Sequence, residues 1–299
     1  MDFTLALAGL GVGIIVGLTG MGGGALMTPV LVLVFGVPPV AAVSSDLAAS
    51  AVMKPFGGWV HARRGTVNWA MVGWLCAGSV PFAFVGVLLL RLVGDDARMQ
   101  QVIKIALGVA LLLAAGGLVL KAWVSRRQPE TPPVHVRVKP LPTALVGAAG
   151  GLIVGLTSVG SGSLIIVALL ALYPALRANH LVGTDLVQAV PLVTAAALGH
   201  AFFGDLQLDL AAAVLLGSIP GVLIGSRISS RAPAGLIRPA LVIVLLASAL
   251  KLFDLSTAVV GVVSGVAVLV AIGLAVARKM TAARPAEEAE PDRTPVPQP

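Results

Sequence analysis

Two twelve-residue stretches concentrate the groups that could do chemistry. IVGLTGMGGGAL (15–26) and IVGLTSVGSGSL (153–164) are identical at eight of twelve positions and offer hydroxyls and bare backbone in place of bulk. Glycine lets backbone N–H groups approach a ligand closely, and a helix that restarts after such a turn points its positive dipole end at it. Thr19, Gly20, Gly22, Gly23 and Gly24 in the first copy, with Thr157, Ser158, Gly160, Ser161, Gly162 and Ser163 in the second, therefore form a donor set suited to a small anion. The competing role is tight helix packing through small residues. Asp46 and Asp185 hold matching positions in VSSDLA and VGTDLV; they suit a coupling cation or proton, restraint of the tip hydroxyls, or helix capping. Gln188 shares a helix face with Asp185 and is placed to donate to a substrate oxygen. Lys54 could neutralise an anion or snorkel to the membrane surface. His61 and His200 sit near the ends of matching helices, as gating or proton-relay residues or as interfacial ones.

The elements that must carry these residues are membrane helices. The 299 residues are 58% hydrophobic and 11% charged, where soluble chains carry about 25% charged residues. Apolar runs near 40–60, 67–90, 99–120, 181–203, 208–226, 235–253 and 257–277 each match the ~30 Å hydrocarbon core. No basic n-region precedes the first run, so no signal peptide is expected. The net charge of +7 lies almost wholly in loops, which speaks for membrane topology and against nucleic acid. The lone Cys76 leaves no intrachain disulfide, and no metal site or cofactor is expected.

The first half recurs in the second. Beyond the twelve-residue match, Asp46 aligns with Asp185, His61-Ala62 with His200-Ala201, Gly65 with Gly204, Gly78-Ser79 with Gly217-Ser218, Pro81 with Pro220 and Gly86 with Gly225. Residues 1–124 read as a first membrane repeat and 125–140 as a basic, Pro-rich cytoplasmic linker. Residues 141–254 form the second repeat, 255–280 an extra C-terminal transmembrane helix, and 281–299 a disordered cytoplasmic tail.

Loop charge then orients the repeats. Arg63-Arg64, the linker, Arg227 to Arg238 and the tail belong in the cytoplasm; the stretches 91–98, 204–209 and 251–254 belong outside. These placements agree only if 141–172, about 32 residues, enters and leaves by one face as two half-helices. By repetition 4–36 does the same. Three full crossings per half then make the repeats inverted, with the glycine-rich tips meeting near the midplane. The expected fold is all-α and polytopic: two inverted repeats, each a re-entrant helical hairpin plus three transmembrane helices, and one extra C-terminal helix. Pro55 and Pro191 are expected to break the two long helices beside the tips.

IVGLTGMGGGAL with its copy, H-A-x-x-G before a span and G-S-x-P-x-x-x-x-G in both halves resemble the TauE/SafE sulfite exporters, also described as toluenesulfonate uptake permeases. The resemblance covers nearly the whole membrane region. It implies secondary active transport of sulfite, thiosulfate, sulfoacetate or other organosulfonates across the bacterial inner membrane, with the C-terminus cytoplasmic. The partners are then the small sulfur anion and the lipid bilayer, with a homo-oligomer left open as the assembly. The two halves differ in one respect, because Lys54 is replaced by Val193 in the second.

Three other readings compete. GMGGGA followed by Asp46 imitates a dinucleotide fingerprint but lacks any β-α-β setting. An intramembrane serine hydrolase would use Ser161 or Ser163 with His180 or His200. A passive anion channel would share the pore chemistry without responding to pH or sodium gradients.

Overall fold

The computed structural model describes residues 3–19, 23–63, 65–92, 96–124, 137–174, 176, 178–203, 206–228 and 234–282. Among these residues there are eleven helices and no strand. They are α1 (Phe3–Thr19), α2 (Gly24–Leu33), α3 (Pro39–Arg63), α4 (Trp69–Leu92), α5 (Asp96–Val124), α6 (Pro140–Thr157), α7 (Leu164–Leu172), α8 (Ala178–Phe203), α9 (Leu208–Ile228), α10 (Ala234–Leu252) and α11 (Thr257–Ala282). Five stretches are long and apolar enough to cross a membrane: Trp69–Leu92, Ala97–Ala122, Pro140–Thr157, His180–Phe203 and Leu208–Ile228. The ten residues of α2 and nine of α7 are not, since each spans only about 15 Å. Nor are the described apolar parts of α10 and α11, Pro239–Leu252 and Thr257–Gly273, where full crossings are expected, whereas α6, expected as a half-helix, is of spanning length.

Small residues decide which helices pair. α1 carries Gly9, Gly13 and Gly17 at four-residue spacing, and α6 carries Gly147, Gly151 and Gly155. Side chains at such a spacing share one helix face, so their absence cuts a groove into which a neighbouring backbone fits. The α1 stripe lies on the backbone of α9 from Val214 to Ser226, and the α6 stripe on that of α4 from Leu75 to Ala83. In both pairs contact advances in the same chain direction, so the helices are parallel. These stripes were not singled out in the sequence, although the spacing stands in it.

Matching helices of the two halves also pack on each other, running in opposite directions. Ser44 near the start of α3 meets His200 near the end of α8, whereas Gly57 and Gly58 near the end of α3 meet Leu186 and Val187. Lys104 near the start of α5 pairs with Asp254 just after α10, and Phe253 packs on Gly108. A pair of equivalent hydrogen bonds repeats the pattern: Ser45 donates to the Gln207 carbonyl ahead of α9, and the Asn68 N–H ahead of α4 donates to Thr184.

Both buried cores draw on the two halves. One joins Leu31 of α2 and Leu111 of α5 to Val214 and Leu245; the other joins Leu47 and Leu75 to Ile166 and Leu192. α11 packs against α10, with Val262, Val266, Leu269 and Val270 exposed as a lipid-facing surface requires. Helix runs unbroken through Pro55 in α3 and Pro191 in α8, so the expected breaks are absent. Each proline lies beyond the second helical turn, where neighbouring helices hold the segment in place of the lost backbone bond.

Candidate functional site

Sequence forces the chain out of helix between α6 and α7. Ser158 ends α6 in the left-handed region at φ 59°, and Gly160 and Gly162 follow at φ 134° and 95°. Only glycine adopts the last two without strain. The Gly160 carbonyl then accepts the N–H groups of Leu164 and Ile165, starting α7. Thr157 turns its hydroxyl onto the Ile153 carbonyl and accepts the Val159 N–H, so it stabilises the turn.

The break between α1 and α2 is the counterpart. Gly20 and Gly22 lie outside the described residues, and Thr19 is described only as the last residue of α1. Gly23 and Gly24 are buried; the Gly23 carbonyl accepts from Leu26 and Met27 at the start of α2. Gly24 lies directly on the Ser158 backbone, at a separation that leaves no room for a side chain. The two breaks therefore touch, one from each half.

Polar side chains converge on this junction from α3 and α8. Asp46 is fully buried; its Oδ2 accepts from Ser158 Oγ at 2.7 Å and from Thr28 Oγ1 at 3.2 Å. Thr28 and Ser158 are themselves 2.7 Å apart. Asp46 Oδ1 has no hydrogen-bond partner and faces Gly23. Asp185 is equally buried, with Oδ1 accepting from Gln188 Nε2 at 2.8 Å and Oδ2 unpartnered. Gln188 also accepts from Ser79 of α4, so its amide orients an acid and not a ligand in this state. The Gly162 backbone faces the Asp185 carboxylate. Neither acid caps its helix, because each sits in the third turn.

Lys54 decides between the two roles left open for it. Its side chain is 8% exposed and its Nζ donates to Ser161 Oγ at 2.5 Å, so it points into the junction and does not snorkel. The ammonium lies within electrostatic reach of Asp46 and Asp185. Ser163, one residue before α7, is buried with an unpartnered hydroxyl. The result is a buried polar cluster holding one cation, two acids, three tip hydroxyls and the starts of α2 and α7.

The histidines stand apart. His200 is buried, with Nδ1 2.9 Å from Ser44 Oγ and Nε2 2.9 Å from the Gly155 carbonyl, joining α8 to α3 and α6. His61 bonds Thr66 just past the end of α3. Neither reaches Ser161 or Ser163, and His180 is exposed at the start of α8, so the serine–histidine pairing of a hydrolase does not form. Thr28, Ser44 and Ser79 join the polar set without having been expected. A lone hydroxyl four residues into the apolar α2 is the signal that marks Thr28.

A helical bundle with membrane-length apolar helices and a buried charged cluster where two short helices start is an integral membrane transporter. The chain belongs to the sulfite exporter TauE/SafE family, whose model matches residues 5–252. It is 41% identical over 258 residues to the "Probable membrane transporter protein YjnA" of Bacillus subtilis (strain 168), covering 84% of this chain and 100% of that protein. It is 25% identical over 230 residues to the "Probable membrane transporter protein YdhB" of the same organism, covering 77% of this chain and 91% of the relative. No solved structure matches.

Proposed function

We propose that this protein is a secondary active transporter of small sulfur oxyanions or organosulfonates, held between the two tips. The observation that carries the reading is Lys54 reaching from α3 to Ser161 on the second tip, beside the starts of α2 and α7. An anion there would take the Lys54 ammonium, hydroxyl donors and helix N-termini together. The test is binding of sulfite, thiosulfate, sulfoacetate, sulfate and chloride to purified protein. One or more sulfur anions should bind at least about tenfold tighter than chloride, a difference of about 1.4 kcal/mol. Equal affinity for chloride, or no binding of any sulfur anion, overturns the reading.

The architecture proposed with it is a pair of inverted repeats, each opening with a re-entrant hairpin. Supporting this are the antiparallel packing of α3 on α8 and α5 on α10, and the inability of α2 and α7 to cross. Alternating access then moves the surrounding helices about the tips. A cytoplasmic C-terminus follows from the loop charges, and the bacterial inner membrane from the family resemblance. In a Cys76→Ser background, a cysteine placed in 204–209 should label from outside, and one in 226–238 should not; the opposite pattern refutes the orientation.

One observation favours a second reading. Lysine beside serine is also the arrangement of an activated nucleophile. A hydrolase would be silenced by Ser161→Ala and would be labelled at Ser161 by a serine-directed covalent probe. A transporter should keep measurable binding in Ser161→Ala, weakened about 10- to 150-fold, since one hydrogen bond to a charged group contributes about 1.5–3 kcal/mol.

A further inference from the structure

Asp46 Oδ2, Ser158 Oγ and Thr28 Oγ1 form a closed triangle, with edges of 2.7 Å, 2.7 Å and 3.2 Å. Each edge needs one proton to be a hydrogen bond, and an ionised carboxylate supplies none. The two hydroxyls bring two protons for three edges. With the carboxylate ionised, both hydroxyls donate to Oδ2 and the Thr28–Ser158 edge has no proton. A third proton, on Asp46 Oδ2, completes the cycle by reversing one bond, so that Asp46 donates to Ser158, Ser158 to Thr28, and Thr28 back to Asp46. Each hydroxyl then donates once and accepts once. Oδ1 is buried without a partner, which an oxygen tolerates better on a neutral acid than on a carboxylate; the same holds for Asp185 Oδ2, so it is the ring that singles out Asp46.

The charges around the triangle agree. On α3 the charged neighbour is Lys54; across from α8 comes Asp185, which also faces Lys54, and from α5 Lys121 acts on Asp185. α2 and the turn 158–163 carry no ionisable residue, and Asp209 and Arg227 lie exposed at the two ends of α9. With both acids ionised, two buried carboxylates stand where an anion would bind; protonating Asp46 removes one of these negative charges and makes the site more favourable to an anion.

We propose that Asp46, closed into a ring by Thr28 and Ser158, is the proton-binding site that couples anion transport to the proton gradient. The inference rests on the anion-transport reading for its consequence, though not for its detection. Binding is a simple protonation, carboxylate plus hydronium giving carboxylic acid and water, on whichever face alternating access opens to the site. Because the ring joins α2 and α3 of one half to the tip of the other, losing the proton leaves one edge open and loosens the contact between tips. Asp185 is different: its carboxylate is held by Gln188 of its own helix, and a proton there closes no ring.

Infrared difference spectra between acid and alkaline pH, taken on purified protein without added anion, test the site directly. The carbonyl stretch of a protonated carboxyl should appear in wild type and in Asp185→Asn, and vanish in Asp46→Asn. Asparagine supplies the missing donor of the ring, so that variant should stay folded. Ser158→Ala should shift the band by removing the proton's acceptor. A band surviving in Asp46→Asn, its absence from wild type over the whole pH range of the folded protein, or a band that follows sodium in place of pH would each overturn the proposal. In proteoliposomes, Asp46→Asn should lose at least tenfold of gradient-driven accumulation. A wild type that shows the band and binds no sulfur anion would refute the transport reading alone.

Discussion

Replacing Lys54 with methionine is expected to weaken sulfur-anion binding by at least about 30-fold while the protein remains folded and inserted. Removing one partner of a buried, hydrogen-bonded charge pair costs about 2–5 kcal/mol, which is about 30-fold to several-thousand-fold in affinity. Methionine fills much the same volume, so packing around α3 should survive. The remaining charge sharpens the effect, because Asp185 then faces the anion without the Lys54 ammonium beside it. Val193 stands at the matching position of the second half, so no second lysine replaces the first. Titration of the anion into purified Lys54→Met protein is the check. An affinity within about threefold of wild type would show that Lys54 serves α3 and the tip structurally.

Gly151→Val is expected to abolish the folded protein, and Gly13→Val to do the same through the matching helix pair. At Gly151 a side chain would overlap the Ser79 backbone of α4, and at Gly13 it would overlap that of Ser218 on α9. Neither neighbour is a side-chain end that can rotate away, so the paired helices would have to separate along their length. Overpacking in a close-packed interior costs about 1–3 kcal/mol where neighbours can yield, and more where they cannot. Gly11, on the same helix with open space around it, is the internal control and should accept alanine. The measurement is the monodisperse yield in detergent by size-exclusion chromatography. Comparable yields of Gly151→Val and Gly11→Ala would mean that the stripe is not what holds α6 on α4.

The sequence showed the helices and the two glycine-rich turns because both leave local marks: apolar runs of membrane length, and glycine where no helix can continue. It showed Asp46 and Asp185 because they recur in register. It did not show that Asp46 answers to Ser158, since repetition pairs an acid with its own half and the fold crosses it to the other. Lys54 stayed ambiguous because snorkelling and burial begin from the same residue type, and only its neighbours across α3 and the second tip separate them. The same applies to Gln188, whose amide is engaged by Asp185 and Ser79. Pro55 and Pro191 misled in the opposite sense: a local breaking tendency was overridden by packing on either side. The paired stripes on α1 and α6 were visible as spacing, yet the glycines of the tips drew attention from them.

The central claim is that an anion sits between the two tips. Single cysteines test it, at Gly23→Cys and Ser161→Cys in a Cys76→Ser background; a side chain at Gly23 meets its neighbours only at ordinary contact distance. The rate of modification by a small aqueous thiol reagent is measured with and without the tightest-binding anion of the panel. The account predicts that the anion slows modification at both positions, that chloride does not, and that Lys54→Met removes the protection. Rates unchanged at both positions under a saturating anion would contradict it.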